Sequence, residues 1–423
     1  MATPGKPAQV QGNHRSALIA LTSLFFMWGL ITSLNDILIP HLKALFTLSY
    51  LQAMLVQFCF FMAYFVMSFP AGFVVEKLGY KGGILLGLLI ATAGCLLFYP
   101  AAGYQSYPLF LAALFVLASG ITFLQVAANP FVTALGSPET ASSRLNLTQA
   151  FNSLGTTLGP ALGATFILAV AVKSAPELQA LAPQDLALYA QAQINAVQHP
   201  YLLLAAVLAA IAVFIAVFRL PRVEAEAGEA GHDALPARAG VWHYPHLVLG
   251  ALGIFAYVGA EVSIGSLLVS VMGLPTVAGL SADVAGRYLS VYWGCAMIGR
   301  FVGSALMQKI APSRLLACNA LINILLLGLA VLVQGHFAMW AMLSIGLFNS
   351  IMFPTIFSLA LAKLGKFTSE GSGLLCMAIV GGAIMPVLQG WGADNLGLLP
   401  SFVIPAVCFL YIAWYGLAGS RPR

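Results

Sequence analysis

Charged residues are scarce in this chain of 423 amino acids. Asp, Glu, Lys and Arg together make up 7% of the sequence, whereas soluble proteins carry about 25%. Hydrophobic residues make up 61%, and the only long polar stretches are the N-terminal residues, about 172–199 and about 221–243. The scarcity of charge excludes an ordinary soluble fold, and no soluble domain fits between the apolar runs.

The motifs of several enzyme and metal-binding classes are absent as well. The sequence has no phosphate-binding loop of the Walker type, no His-Glu-x-x-His and no Gly-x-Ser-x-Gly. Its six cysteines all lie inside apolar runs without the spacing of metal ligands, so we interpret them as small core residues. We therefore expect the protein not to be an enzyme and to hold no cofactor.

Apolar runs long enough to cross a bilayer, which takes about 20 residues in a helix, occupy most of the sequence. We count twelve such runs, called spans 1 to 12 below, at 17–39, 51–75, 82–101, 107–131, 143–171, 200–220, 245–272, 284–308, 314–334, 337–362, 370–391 and 398–418. They predict an all-α membrane protein with twelve transmembrane helices.

The basic residues indicate how these spans are oriented. The net charge is +5, and most of the eighteen Lys and Arg fall on the segments that a cytoplasmic N-terminus would place inside the cell. Short cytoplasmic loops of membrane proteins are enriched in Lys and Arg. We therefore predict that both termini are cytoplasmic, which also accounts for the positive charge without a nucleic-acid partner.

A polar, Gly- and Ala-rich stretch divides the spans into two groups of six, and it has the composition of a flexible linker. A shift of 226 residues superimposes three pairs of residues in the two groups: Gly120 with Gly346, Gly155 with Gly381 and Pro160 with Pro386. The predicted organisation is a cytoplasmic tail at 1–16, a first half at 17–220, a cytoplasmic linker at 221–244, a second half at 245–418 and a cytoplasmic tail at 419–423. Two pseudo-symmetric halves with a site between them near the midplane are typical of secondary transporters.

Asp36 is a carboxylate within the otherwise uncharged span 1. A charged side chain in hydrocarbon costs at least about 2.5–3.5 kcal/mol, so such residues usually face a cavity or a partner. One interpretation is that Asp36 lies at the helix end and reaches water beside Pro40. The favoured prediction is a coupling or ligand site, in which Asp36 and nearby oxygen atoms bind Na⁺ or Asp36 exchanges a proton.

Amide and hydroxyl side chains gather on spans 1, 4 and 5. On each of spans 4 and 5, two amides lie three or four residues apart and therefore share one helix face. Amides can donate to and accept from sugar hydroxyls, and aromatic rings offer flat apolar faces to a sugar's C–H surface, so the pattern favours a sugar substrate. The residues predicted to bind it are Ser33, Asn35, Gln125, Asn129, Gln149 and Asn152.

A second set of polar and aromatic residues lies within spans 2, 7, 8, 10 and 11. Polar side chains in membrane helices also hold helices together, and for each of these residues that role is as well supported as a functional one. Glu261 and Arg300 either neutralise each other between spans 7 and 8 or help to gate. The set predicted to serve gating or secondary roles is Gln57, Tyr257, Glu261, Trp293, Arg300, Asn349 and Gln389.

The loop between spans 2 and 3, residues 72–81, resembles the signature loop of the major facilitator superfamily. Four further passages, at 34–43, 57–61, 124–131 and 147–155, resemble the fucose permease group of that superfamily, and most of all its bacterial glucose/galactose transporters. The resemblance covers nearly the whole chain apart from the N-terminal tail, the linker and the polar stretch that ends at 199.

The resemblance implies a monomeric protein of the bacterial inner membrane that imports a hexose of the glucose/galactose type together with a cation, by alternating access. It matches Asp36 to the group's essential carboxylate, and Gln149 and Asn152 to amides associated with sugar binding. Fucose permeases carry Asn at the position of Ser33 and a protonatable Glu at that of Gln125. Because Gln125 cannot titrate, a two-carboxylate proton mechanism does not transfer to this chain, and Na⁺ is slightly favoured over H⁺.

Two alternatives share the predicted fold: a proton-coupled carrier of a fucose-type deoxysugar and an uncoupled sugar facilitator. A membrane sensor that transports nothing is an alternative from a different class, but the short loops leave little to relay a signal. The exact sugar, the cation and its stoichiometry stay open at this point.

Overall fold

The computed structural model describes the backbone of residues 14–45, 50–166, 182–218 and 240–422, and their side chains except at 14–16, 33–45, 50–57, 159–166 and 282–283. The predicted tail at 1–16 and most of the predicted linker at 221–244 lie outside the described residues. The described end of the linker contains a short 3₁₀ turn, Val241–His243.

The described residues form helices and turns, without strands. The helices are α1 His14–Leu45, α2 Tyr50–Gly103, α3 Tyr107–Ala134, α4 Ala141–Phe166, α5 Pro183–Val217, α6 Pro245–Gly273, α7 Ala282–Leu306, α8 Pro312–Leu332, α9 His336–Asn349, α10 Met352–Ala360, α11 Thr368–Met377, α12 Gly381–Leu396 and α13 Val403–Trp414, which continues as a π turn over Tyr415–Gly419. Within the described part of the chain, nine segments are long and apolar enough to cross a membrane, and one of them, Phe58–Gly103, covers two predicted spans. The all-α fold predicted from the apolar runs is confirmed.

Helix α2 contains spans 2 and 3, which turn at Gly79. This residue has φ 71° and ψ 173°, a left-handed conformation that residues with a side chain adopt at a cost and glycine adopts freely. The predicted loop between the two spans is therefore one non-helical residue within a continuous run of helix. Spans 10 and 11 are each broken instead, span 10 into α9 and α10, and span 11 into α11 and α12.

The polar stretch predicted over 172–199 is helical from residue 183 onward, so α5 begins well before span 6 does. Pro183 stands in the first turn of α5, where its missing N–H costs nothing, and Asp185 places a negative charge at the positive end of the helix dipole. The Ala, Gln and Leu residues that follow are good helix formers. The helix is therefore longer than the predicted membrane span, because hydropathy detects the membrane and not the helix.

The repeat predicted from the glycines appears in the packing of the first and second halves. A Cβ atom added at Gly155 in α4 would collide with the carbonyl oxygen of Phe26 in α1, and one added at Gly381 would collide with that of Phe255 in α6. These are equivalent helix pairs, spans 1 and 5 in the first half and spans 7 and 11 in the second. Gly120 and Gly346 do not follow this rule, because Gly120 packs against span 3 and Gly346 against span 8.

Two seams join the halves. In the seam between α4 and α7, Ser143 and Ser304 exchange hydrogen bonds, each hydroxyl donating to the other's carbonyl oxygen at 2.7 and 2.9 Å. In the seam between α2 and α11, backbones approach closely, and a Cβ added at Gly373 would lie 2.8 Å from the carbonyl oxygen of Ser68. The first seam is therefore built from hydroxyls and the second from close backbone packing.

Candidate substrate-binding site between the halves

Two of the predicted amides meet between α3 and α4. Gln149 Nε2 in α4 donates to Asn129 Oδ1 in α3 at 3.3 Å. Asn129 is fully buried, and its Nδ2 has no hydrogen-bond partner in the structure. A buried amide that lacks a partner costs about 1–3 kcal/mol, so this free end favours a site that a polar ligand or water completes.

Gln125, one helical turn before Asn129, shows the same arrangement. Its Nε2 donates to the hydroxyl of Tyr64 in α2 at 2.7 Å, and its buried Oε1 has no partner. Tyr64 was not among the predicted site residues, although its position seven residues after Gln57 in span 2 places it on the same helix face as that predicted residue. The Gln125 amide therefore contacts a tyrosine, and the two polar atoms without a partner are Gln125 Oε1 and Asn129 Nδ2.

Asn152, the fourth described amide, holds two helices together. Its Nδ2 donates to the carbonyl oxygen of Phe25 in α1 at 2.9 Å. A Cβ at Gly29 would collide with the carbonyl oxygen of Asn152, so α1 and α4 touch backbone to backbone here. Asp36 lies seven residues beyond Gly29, about two turns further along the α1 backbone.

Four predicted side chains lie outside the described residues: Ser33, Asn35, Asp36 and Gln57. Their backbones belong to α1 and α2. Their predicted roles in substrate binding, cation coupling and gating stay predictions.

In the second half, the two charged residues predicted to neutralise each other place their hydrogen bonds elsewhere. Glu261 Oε1 accepts from the hydroxyl of Tyr257, one turn earlier in α6, at 2.6 Å. Arg300 in α7 donates from Nε to the carbonyl oxygen of Ser350 at 3.0 Å and from Nη1 to the hydroxyl of Ser153 in the other half. The charges of Glu261 and Arg300 still act on each other electrostatically, so both predicted roles, neutralisation and gating, remain compatible with the geometry.

The remaining predicted residues of the second half occupy different settings. Asn349 is buried and its Nδ2 donates to the hydroxyl of Tyr292 in α7 at 3.3 Å, while Trp293 is 41% exposed. Gln389 is buried in α12, away from these contacts, and donates from Nε2 to the Ser401 hydroxyl at 3.5 Å. Asn349 thus joins the polar residues of α7, whereas Gln389 serves a contact near the end of its own half.

The pair formed by Asn349 and Tyr292 mirrors the pair formed by Gln125 and Tyr64. Asn349 stands five residues before Pro354, as Gln125 stands five residues before Pro130. Each amide donates to a tyrosine on the neighbouring helix, span 2 in the first half and the equivalent span 8 in the second. In each, the amide oxygen is left without a partner.

Comparison with known proteins agrees with this architecture. The family model of the Major Facilitator Superfamily matches residues 18–378. The chain is 56% identical over 411 residues to the glucose/galactose transporter of Brucella abortus biovar 1, covering 97% of this chain and 96% of the relative. It is 37% identical over 411 residues to the L-fucose-proton symporter of Escherichia coli K12, covering 95% and 93%.

A solved structure of a major facilitator superfamily transporter, FucP, in the outward conformation has a TM-score of 0.87 to this chain at 35% identity, and the match covers 97% of this chain and 100% of that one. The relatives are transporters and not enzymes. With its twelve spans in two halves, the chain belongs to the major facilitator superfamily.

Proposed function

We propose that the protein imports a hexose of the glucose/galactose type by cation symport, through alternating access of a site between its halves. The observation that carries this proposal is the α3–α4 amide pair, in which Gln149 orients Asn129 and a buried amide nitrogen stays free. The name of the Brucella relative, at 56% identity, supports a glucose- or galactose-like substrate.

The site has the groups that a hexose needs. The free amide ends of Gln125 and Asn129 supply one acceptor and one donor within one helical turn of α3, and adjacent hydroxyls of a sugar offer both roles. Trp293 lies on α7 of the opposite half and is 41% exposed, and we propose that its ring covers the sugar's C–H surface. The substrate then touches both halves, as alternating access requires.

Asp36 is proposed as the residue that couples a cation to this movement. Because Gln125 cannot titrate, Asp36 is the acidic residue among the predicted substrate and coupling residues of the first half. A single carboxylate with neighbouring oxygen atoms suits Na⁺. The E. coli relative is named a proton symporter, and this is the observation in favour of the second candidate, coupling to H⁺ at the same residue.

The distribution of Lys and Arg supports cytoplasmic termini and an inner-membrane location. In that orientation the loops after α3, α7 and α10 are cytoplasmic. The bonds between Ser142 and Ser358, at 2.6 Å, and between Ser143 and Ser304 lie beside these loops. The structure then corresponds to a carrier closed toward the cytoplasm, in line with its likeness to an outward conformation. We propose that it works as a monomer.

The direct test is uptake of labelled glucose, galactose and fucose into proteoliposomes, with Na⁺ and pH gradients imposed separately. We expect accumulation of glucose or galactose under the Na⁺ gradient. Accumulation under the pH gradient alone selects the proton-coupled alternative, and equilibration without accumulation selects the uncoupled facilitator. The absence of sugar binding, counterflow and uptake in a folded protein contradicts the proposal.

A further inference from the structure

Pro354 leaves a backbone acceptor free in the middle of span 10. Proline has no N–H, so the carbonyl oxygen of Ser350, four residues earlier, has no helical donor. The helix is interrupted at this point between α9 and α10. Arg300 Nε donates to this oxygen at 3.0 Å. A Cβ at Gly299 would collide with the carbonyl oxygen of Leu347, so the α7 backbone packs directly against the end of α9 and holds Arg300 in place.

The other end of the Arg300 guanidinium reaches the first half. Its Nη1 donates to the hydroxyl oxygen of Ser153 in α4, and that hydroxyl donates in turn to the carbonyl oxygen of Gln149 at 3.2 Å. Ser153 is buried and directly follows Asn152. Arg300 is therefore connected, through one hydroxyl, to the helical turn that carries two of the predicted substrate amides.

The contacts that flank this bridge between α4 and the second half are uncharged. Phe151 and Phe301 meet across the halves with ring centroids 5.7 Å apart, and further along Asn146 Nδ2 donates to the Thr355 hydroxyl at 3.2 Å. Glu261 of the same half accepts a hydrogen bond from the Tyr257 hydroxyl. The bridge is thus a charged donor on a neutral hydroxyl, stronger than the hydroxyl pairs around it but without the opposite charge of an ion pair.

We propose that Arg300 is a positioning residue that locks the substrate-amide turn of α4 to the break between α9 and α10 while this end of the molecule is closed. Its release from Ser153 is the step that lets the seam between α4 and α7 open. The inference goes beyond the proposed function, since it concerns the movement of the halves whatever the substrate is.

The test measures opening of the seam without any sugar. A cysteine placed at the seam by Ser143→Cys, with the six native cysteines replaced by alanine, is labelled with a small maleimide in detergent. We expect Ser153→Ala and Arg300→Gln each to raise the labelling rate about 10- to 100-fold, because each removes the same charge-assisted bond. The two changes combined should label no faster than Arg300→Gln alone. Arg300→Lys, whose single ammonium cannot serve two acceptors in the same fork, should give an intermediate rate.

Thr148→Ala is the matched control, because the Thr148 hydroxyl on α4 bonds only to carbonyl oxygens of its own helix. It should label at the parent rate. Ser153→Ala removes a single oxygen, so it keeps the test valid where Arg300→Gln does not fold. Rates within about twofold of the parent for folded Ser153→Ala, or rate increases that multiply in the double variant, would overturn the inference. Absence of hexose transport would contradict the proposed function and leave this result unaffected.

Discussion

The two halves place a proline at equivalent positions and attach different chemistry to the carbonyl oxygen that it frees. In the first half, Pro130 frees the carbonyl oxygen of Val126, which accepts a hydrogen bond from the Ser372 hydroxyl across the interface at 2.9 Å. In the second half, Pro354 frees that of Ser350, which accepts from Arg300 of its own half. The carbonyl oxygen freed by Pro130 therefore accepts directly from a neutral hydroxyl of the other half. The one freed by Pro354 accepts from Arg300, whose guanidinium also donates to Ser153 in the first half.

The surroundings of the two amide–tyrosine pairs also differ in charge, and we call the first the neutral face and the second the charged face. The neighbours described for Gln125 and Tyr64, such as Phe60 and Cys376, carry no acidic or basic group, whereas Asn349 and Tyr292 lie near Glu261 and Arg300. The two halves therefore share one geometry but surround it with different chemical groups. We infer that the neutral face recognises the substrate and the charged face controls how the halves meet.

The largest loss of sugar affinity is expected when an amide of α4 is removed. Gln149→Ala removes an amide and leaves Asn129 without an orienting donor, so sugar affinity should fall roughly 5- to 150-fold, equivalent to about 1–3 kcal/mol. Asn152→Ala should weaken affinity too and also lower the melting temperature, because it loses the bond to the Phe25 carbonyl oxygen. Calorimetric titration and thermal unfolding of the purified variants measure both. Unchanged affinity in both variants would exclude a sugar site on α4.

A smaller, pH-dependent effect is expected when charge is introduced into the neutral face. In Gln125→Glu, the protonated carboxyl can donate to the Tyr64 hydroxyl, as the amide does now, whereas the carboxylate can only accept and places an unpaired charge in a buried site. Transport should therefore be retained at low pH and decline as the pH rises through the titration of the new carboxyl, a titration that the parent lacks. Initial uptake rates across the pH range measure it, with Gln125→Met as a neutral control. Superimposable profiles of Gln125→Glu and the parent would place position 125 outside the transport path.

The smallest effect is expected from the mirrored amide. Asn349→Ala and Gln125→Ala each remove one amide bond to a tyrosine, so their structural consequences are matched. If the amides that bind the sugar lie only on the neutral face, Gln125→Ala should weaken affinity about tenfold and Asn349→Ala less than about twofold. Parallel titrations decide this, and a loss at Asn349 as large as that at Gln125 would show that both faces bind the sugar.

Much of the fold could be predicted from the sequence because a bilayer imposes a simple rule. Uninterrupted apolar runs gave the spans, and Gly155 and Gly381 indicated the internal repeat before any packing was known. The early start of α5 could not be found in this way, since its polar first turns follow helix propensity and not hydropathy. The break between α9 and α10 was not predicted, although Pro354 lies next to it and a proline inside a helix leaves one carbonyl oxygen without its helical donor.

The candidate site was predictable as a set of residues but not as a set of contacts. Polar residues such as Gln125, Gln149 and Arg300 stand out in apolar spans on sequence grounds alone. Their contacts do not: Tyr64 shares a helix face with Gln57 and Ser153 follows Asn152, but which residues they touch depends on how helices far apart in sequence are rotated against each other. The pairing of Arg300 with Ser153, and not directly with Glu261, is of this kind.

Cation-coupled sugar import through Asp36 is tested by Asp36→Asn in proteoliposomes, which are assayed for both counterflow and gradient-driven uptake. The substitution keeps the size of the side chain and removes its charge. An unpaired carboxylate in the membrane resists reorientation until a cation neutralises it. We expect Asp36→Asn to lose gradient-driven accumulation and to keep sugar counterflow, because the amides on α3 and α4 are intact. Normal accumulation by Asp36→Asn would contradict it.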